Sequence, residues 1–129
     1  EVPIIYRSSW EKKIMIFCDT NENVIRWSSE PLSISYYNVL DKKFHKYYPD
    51  YYIKIRKGDE IIDYLVEVKP KSQLSKPKPP KKNTKKALES YEWAVKTYVT
   101  NVCKIDALKK YAADHNYKVM LITEDSNLI

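Results

Sequence analysis

Glycine is almost absent from this chain, and its absence excludes several kinds of enzyme site. The 129 residues contain one glycine, Gly58. The phosphate-binding loop G-x-x-x-x-G-K-[ST], the dinucleotide fingerprint G-x-G-x-x-G and the nucleophile elbow G-x-S-x-G each need two or more glycines at fixed spacing. The sequence therefore predicts no nucleotide cofactor held by such a loop and no hydrolase of the elbow type.

Cysteine, histidine and long apolar segments are scarce as well. The two cysteines, Cys18 and Cys103, and the two histidines, His45 and His115, are too few for a cysteine-rich zinc site or a disulfide-dense secreted fold. A disulfide between the cysteines is conceivable, but their apolar surroundings favour buried free thiols. The longest apolar runs are far shorter than the roughly 20 residues of a membrane span, so no membrane partner is expected. Because the chain begins at Glu1 without a methionine, a targeting segment could precede it.

Acidic residues are missing from one stretch in which lysine is concentrated. The formal net charge is +6, and eight lysines with no acid lie between Lys69 and Lys86, which leaves −2 on the rest of the chain. Four prolines in the same stretch favour extended backbone. We interpret residues 70–83 as a Lys/Pro-rich arm, which is either a solvated linker or a segment whose ammonium groups displace counterions from nucleic acid.

The spacing of apolar residues predicts one α/β domain over residues 1–129, with a mixed central sheet flanked by helices. The expected elements are a helix from about Ser9 to Asp19, strands 24–30 and 32–38, a polar loop through His45, a hairpin of strands 47–56 and 61–69 turning at 57–60, a helix from Thr84 to Asn116 with a break near Asn101, and a buried strand 117–123.

Two carboxylates and a lysine meet at one end of the predicted hairpin. Side chains alternate along a strand, so Glu67 and Lys69 share one face while the opposite face is apolar and can pack on a helix. With the turn at Gly58, Asp50 falls almost opposite Glu67. Two such carboxylates repel each other unless a divalent cation lies between them, and oxygen ligands of this kind suit Mg²⁺ or Mn²⁺.

Such a metal could polarise a phosphodiester and lower the pKa of a bound water. Lys69 could hold or deprotonate that nucleophile, or neutralise charge in the transition state. An acid-x-Lys triplet is also common as a simple charge pair on an exposed strand, so the pattern alone leaves both interpretations open.

Short segments in a fixed order along the chain resemble one protein family. Glu11, Pro49-Asp50 and Glu67-Val68-Lys69 are similar to the motif of the PD-(D/E)XK superfamily of metal-dependent nucleases. More narrowly, YRSSWE (6–11), WSSEP (27–31), YYPDYY (47–52) and EVKP (67–70) are similar to the head-completion nucleases of T-even-type phages, which are related to the transposon-end nuclease. The resemblance extends from about residue 6 to the last strand.

This resemblance implies a restriction-endonuclease-like core and a role for each matched residue. Asp50, Glu67 and the backbone carbonyl of Val68 would bind Mg²⁺ or Mn²⁺. Lys69 would be the catalytic lysine. Glu11 would approach the metal directly or through water.

Other assignments depend less on the motif. Ser8 and Glu11 have the spacing of a capping box, an alternative role for Glu11 that is compatible with a place in the site. Glu30 stays outside the site because it precedes a proline and is expected to face solvent. His45 could contact phosphate or carry a proton. The arm residues that we expect to contact DNA are Lys71, Lys76, Lys78, Lys81 and Lys82.

The predicted function is that of a metal-dependent DNA endonuclease. The resemblance implies a role in phage head completion, on the ends of packaged DNA before tail attachment, in the head–neck region of the virion or in the host cytoplasm during assembly. Phage portal or neck proteins would be further partners. Two alternatives remain open: a structural head–neck protein with an idle site, and a DNA-binding module without chemistry.

Overall fold

The structure is a computed structural model that describes the backbone of residues 4–126 and the side chains of residues 9–126. Its elements, in chain order, are α1 (Ile4–Thr20), β1 (Val24–Ser29), β2 (Ile34–Asn38), β3 (Lys43–Tyr47), β4 (Tyr51–Lys57), β5 (Glu60–Val68), the 3₁₀ turn η1 (Lys71–Gln73), α2 (Lys85–Asp114) and β6 (Lys118–Ile122).

The central sheet has the strand order β1-β4-β5-β6 and is mixed. β4 is antiparallel to both β1 and β5, whereas β5 and β6 are parallel. A parallel pair needs a long crossover, and the arm, η1 and α2 supply it. This arrangement confirms the predicted α/β class with a mixed sheet and is that of a restriction-endonuclease-like core.

The β4–β5 hairpin has the predicted register. Tyr51 pairs with Val66 and Lys57 pairs with Glu60, with the turn between them. Gly58 has a φ of +61° in that turn, a backbone conformation that strongly favours glycine. The single glycine of the chain therefore determines where this hairpin reverses.

One face of the sheet packs on α1. Its apolar stripe, with Trp10, Ile14 and Cys18, is buried against strand residues that include Val66 and Val68. These two strand residues lie on the predicted apolar face of β5. The interpretation of that face as a helix-packing surface is confirmed.

The other face packs on α2 and on a separate two-stranded sheet of β2 and β3. Leu65 of β5 and Leu108 of α2 are fully buried together with Ile34, Tyr36 and Tyr47 of the small sheet. The central sheet is thus covered on both faces. The side chains that alternate with the α1-facing residues of β5 point toward this second layer.

Two predictions about the first half of the chain need correction. The polar loop predicted through His45 is wrong, because residues 43–47 form β3, in which His45 pairs with Tyr36. β3 is mostly exposed and buries only Tyr47, so it has no alternating apolar pattern and resembles a loop in sequence. The helix start is also wrong: α1 begins at Ile4, so Ser8 lies inside the helix and is not its N-cap. The Ser8 side chain itself lies outside the described residues.

The second helix begins as predicted, continues without interruption and ends at Asp114, two residues before the predicted end at Asn116. The Thr84 hydroxyl accepts a hydrogen bond from the Ala87 N–H at 3.2 Å, which makes Thr84 the N-cap. The break expected near Asn101 does not occur. Asn101 is buried, and its side-chain amide donates to the Gln73 carbonyl at 3.4 Å, so this polar residue ties η1 to the helix.

Both cysteines are free thiols, as the sequence favoured, with Cys18 buried and Cys103 half-buried. Neither helix of the described chain is long and apolar enough to cross a membrane.

Candidate active site

Asp50 and Glu67 lie side by side at the open end of the β4–β5 hairpin, where Asp50 precedes β4 and Glu67 is near the end of β5. The register that pairs Tyr51 with Val66 places Asp50 opposite Glu67 one step further along. The Val68 backbone N–H donates a hydrogen bond to an Asp50 carboxylate oxygen at 2.8 Å. The antiparallel pairing therefore brings the two predicted carboxylates together and fixes the orientation of the first.

Glu67 is the most buried charged side chain of the site. Only 2% of the residue is exposed, and its two oxygens have different partners. The Tyr47 hydroxyl donates to Oε1 at 2.6 Å, and the Lys69 ammonium lies 3.2 Å from Oε2. Burial, followed by the charge of Asp50, raises the pKa of Glu67 to about 7, although Lys69 and Tyr47 oppose this shift.

Burial of this carboxylate carries a large desolvation cost that one ammonium and one hydroxyl do not remove. A buried charge is stable only when it is paired and hydrogen-bonded. A cation bound between Glu67 and Asp50 would reverse the repulsion that contributes to the raised pKa of Glu67. The donor set, two carboxylates at the end of adjacent strands, thus has the chemistry that a hard divalent cation needs.

A third carboxylate approaches from α1. Glu11 and Asp50 line one cleft of about 380 Å³, together with Glu30, Met15, Trp27 and Val68. Because Ser8 is not an N-cap, the capping-box alternative for Glu11 no longer competes with this role. In the described residues, no three Asp, Glu, His or Cys side chains converge closely enough to hold one ion by themselves. Any metal here would also need backbone, water or phosphate oxygens as ligands.

Glu30 belongs to this cleft, although the sequence placed it outside the site. Its φ is +44°, and its backbone N–H donates to the Asp50 carbonyl at 2.9 Å. The chain therefore turns sharply before Pro31 and brings Glu30 to the same wall as Asp50. The sequence signal was present, since WSSEP is one of the matched segments.

Two further residues at the site have no counterpart in the sequence analysis. Tyr47 was considered only as part of an aromatic strand, yet its hydroxyl contacts Glu67. Lys104 of α2 has its ammonium 5.8 Å from the ring centres of both Tyr36 and Tyr47. Burial lowers the pKa of Lys104, the nearby Lys69 lowers it further, and Glu67 and Asp50 oppose the change.

Helical spacing could have revealed Lys104. It lies three residues after the buried Asn101 and four before the buried Leu108, so all three occupy the inner stripe of α2. A lysine at such a position usually has a buried partner. Leu88 and Val102 of the same helix are apolar as well, but both side chains are exposed, so they do not mark its inner stripe.

The remaining predicted residues lie elsewhere. His45 is on β3, where its Nε2 is 2.6 Å from the Asp41 carboxylate and its ring stacks on Tyr36. Lys71 forms an ion pair with Asp125 at 3.0 Å, and its backbone N–H donates to Glu124. The other arm lysines, Lys76, Lys78, Lys81 and Lys82, are exposed. Their contact with DNA stays a prediction.

The fold and the site together define a class of protein. A restriction-endonuclease-like sheet with an Asp, Glu and Lys at one strand end is the arrangement that the motif predicted. The TnsA-like endonuclease N-terminal domain matches residues 21–124, a range that contains Asp50, Glu67 and Lys69. The chain belongs to this endonuclease family.

One relative gives a more specific comparison than the family does. The chain is 31% identical over 122 residues to the head completion nuclease of Enterobacteria phage T4, an alignment that covers 95% of this chain and 79% of the relative. No solved structure matches the chain. The resemblance drawn from the sequence motifs, to head-completion nucleases related to a transposon-end nuclease, is confirmed.

Proposed function

We propose that this protein is a metal-dependent endonuclease that hydrolyses phosphodiester bonds in DNA, with Mg²⁺ or Mn²⁺ as its cofactor. The observation that carries the proposal is the buried Glu67, opposite Asp50 and 3.2 Å from the Lys69 ammonium. Desolvating a carboxylate beside a second one lowers stability, and such costs are concentrated at functional sites. Membership of an endonuclease family supports the same conclusion.

Asp50 and Glu67 would hold the metal, with the Val68 carbonyl as a further ligand and Glu11 nearby in the cleft. A bound divalent ion in such a site polarises a phosphoryl oxygen and lowers the pKa of a water ligand. Tyr47 holds Glu67 in place through its 2.6 Å hydrogen bond. The Val68 N–H fixes Asp50 in the same way.

Lys69 would act on the reacting phosphate itself. Its side chain is 15% exposed, so the ammonium reaches both Glu67 and the solvent-accessible edge of the site. A fixed ammonium stabilises the negative charge that builds up on the phosphate in the transition state and positions the attacking water by hydrogen bonding. The short link from β5 to the arm lysines would place further positive charge next to the bound DNA.

We also propose that the biological setting is phage head completion, with DNA ends as the substrate and assembly in the host cytoplasm as the place. The similarity to a relative named for head completion supports this setting. Portal or neck proteins as partners remain part of the proposal. The two non-catalytic alternatives differ from it in one measurable respect, metal-dependent cleavage.

The decisive experiment is cleavage of supercoiled and linear DNA in Mg²⁺, in Mn²⁺ and in EDTA. Wild-type protein should cleave with either metal and not in EDTA. Asp50→Asn and Lys69→Ala should each lower the rate about 100-fold or more, because each removes a group needed in the transition state. Lys54 and Asp63 offer matched controls, since they form a 3.9 Å ion pair between the same two strands.

Asp63→Asn and Lys54→Ala should therefore retain cleavage close to the wild-type rate. Absence of cleavage by wild-type protein, with DNA binding retained at low salt, would favour the binding-module alternative. Cleavage that survives Asp50→Asn would place the reaction at another site.

A further inference from the structure

A second groove begins at Lys69, the residue after Val68, which lines the carboxylate cleft. It lies between η1 and α2, has a volume of about 360 Å³, and is lined by Lys69, Gln73, Trp93, Thr97, Thr100 and Lys104 among others. Lys69 thus belongs both to the proposed active site and to this groove. A strand held at Lys69 can continue directly along α2.

The groove residues on α2 belong to one regular stripe. Lys86, Ser90, Trp93, Thr97, Thr100 and Lys104 follow one another at intervals of four and three residues, so they lie on one face of the helix. The stripe is about 27 Å long. A shallow pocket at Lys86, Ser90 and Trp93 adjoins the groove at Trp93 and continues along the stripe.

Trp93 stands in the middle of this stripe and is 50% exposed. The other two tryptophans differ in their surroundings. Trp10 is buried in the core, and the Trp27 indole N–H donates to Asp19 at 3.2 Å. An exposed indole flanked by hydroxyl and ammonium side chains is typical of a surface on which nucleic-acid bases stack.

The charges of the stripe suit a nucleic-acid backbone. Lys86 and Lys104 belong to the stripe, Lys69 lines the groove beside it, and the threonine and serine hydroxyls of the stripe can donate to phosphate oxygens. Lys96 also lines the groove, but its ammonium is 2.9 Å from Glu92, so it adds little positive charge. Glu89 borders the pocket near Lys86, and its negative charge would repel the phosphates of a bound strand.

An intact duplex cannot use an indole in this position. Its bases stack on one another inside the duplex, and apart from the terminal base pairs their flat faces are exposed only when a strand is unpaired. The indole of Trp93 can therefore stack on a base along α2 when the substrate has an unpaired segment beside the cleavage site.

We propose that the α2 stripe binds a single-stranded segment of the substrate next to the Asp50–Glu67–Lys69 site, with Trp93 stacking on an unpaired base. The substrate class is thus DNA with a single-stranded end or flap, in preference to a blunt duplex. This inference rests on the proposed nuclease function and specifies its substrate.

The test measures binding without cleavage, so that the two proposals can fail separately. A fluorescent hairpin duplex with a blunt end is compared with the same hairpin carrying a ten-nucleotide dT tail, both in EDTA. Wild-type protein should prefer the tailed DNA, and Trp93→Ala should weaken binding of the tailed DNA about tenfold while leaving the blunt DNA unchanged. Trp93→Tyr retains a ring and should recover most of the loss.

Phe44→Ala is the matched control, because Phe44 is an aromatic residue on β3 that is 71% exposed and lies outside the stripe. It should change neither affinity. Equal weakening of tailed and blunt DNA by Trp93→Ala, or no weakening of either, would overturn the inference. Urea unfolding of each variant separates a loss of binding from a loss of the fold.

Cleavage of the same two DNAs with Mg²⁺ then tests the function that the inference presupposes. Cleavage of both DNAs at equal rates, by wild-type and Trp93→Ala protein alike, would leave a nuclease without the proposed substrate preference. Binding preference without any cleavage would overturn the nuclease proposal while the stacking result stood by itself.

Discussion

At the scale of single residues, the site depends on which charged side chains are buried away from water. Glu67 and Asp63 are both acidic residues of β5, but Glu67 is enclosed and Asp63 remains partly exposed. Burial and the neighbouring Asp50 therefore act on Glu67 and raise its pKa to about 7. Nothing in the local sequence Glu67-Val68-Lys69 shows this difference, because burial depends on Tyr47 and on the α2 layer.

This raised pKa makes the metal-free protein less stable as the pH increases. Glu67 is protonated in both states below about pH 4.5, so its contribution is fully present there, and it is lost as the pH rises through about 7. Relative to Glu67→Gln, wild-type protein should lose up to about 3 kcal/mol of unfolding free energy over this range. Urea unfolding in EDTA between pH 4.5 and pH 8 measures the difference.

Glu22→Gln is the control for that measurement, because Glu22 is an exposed carboxylate in the turn after α1. Its unfolding free energy should follow that of wild-type protein at each pH. Parallel curves for wild type and Glu67→Gln would show that Glu67 is not the group responsible.

At the scale of elements, the β4–β5 hairpin aligns the site. Its turn determines that Asp50 meets Glu67, and a shift of one residue would move every side chain of β5 to the opposite face. The register could be predicted from Gly58, because it is the only glycine in the chain and strand patterns flank it. β3 could not be predicted, because the residues that pair with β2 have no regular apolar alternation.

Gly58→Ala should lower the stability of the hairpin by about 1 kcal/mol through its backbone alone. The φ of +61° disfavours an alanine, yet no atom beyond the two adjacent residues lies within 4 Å of the added Cβ, so no clash with the rest of the protein contributes. Gly58→Asn should cost less because asparagine tolerates this conformation better. Thermal unfolding of the two variants gives the comparison, and an alanine variant as stable as wild type would contradict the strain argument.

At the scale of the whole molecule, the site is assembled from three parts of the chain. α1 brings Glu11, the β4–β5 hairpin brings Asp50, Glu67 and Lys69, and α2 brings Lys104. Metal binding to such a composite site stabilises the folded state only, because the unfolded chain does not hold these groups together.

Mg²⁺ or Mn²⁺ should therefore raise the melting temperature of wild-type protein, by an amount that corresponds to about 2.7 kcal/mol at 100 times the dissociation constant. Asp50→Asn should abolish most of that increase. Asp63→Asn should keep it. Differential scanning fluorimetry with increasing metal provides the readout, and an increase that persists in Asp50→Asn would indicate that the ion binds elsewhere.

The sequence by itself determined the class of this protein. Short-range rules were sufficient for the Thr84 cap, the Gly58 turn and the alternation along β5, since each depends on residues that are neighbours in the chain. The motif segments were sufficient for the family. That Asp50, Glu67 and Lys69 lie together could be predicted for the same reason, because one hairpin carries all three.

Only the tertiary structure decided what surrounds these residues. Tyr47 reaches the site because it belongs to the β2–β3 sheet, and Glu30 because the chain makes a left-handed turn before Pro31. Lys104 reaches it because α2 packs on the central sheet. Contacts between distant segments depend on how layers pack, and packing is not encoded in local periodicity. Burial of Glu67 arises in the same way, and it is burial that converts an ordinary strand carboxylate into the strongly perturbed group at the centre of the proposed site.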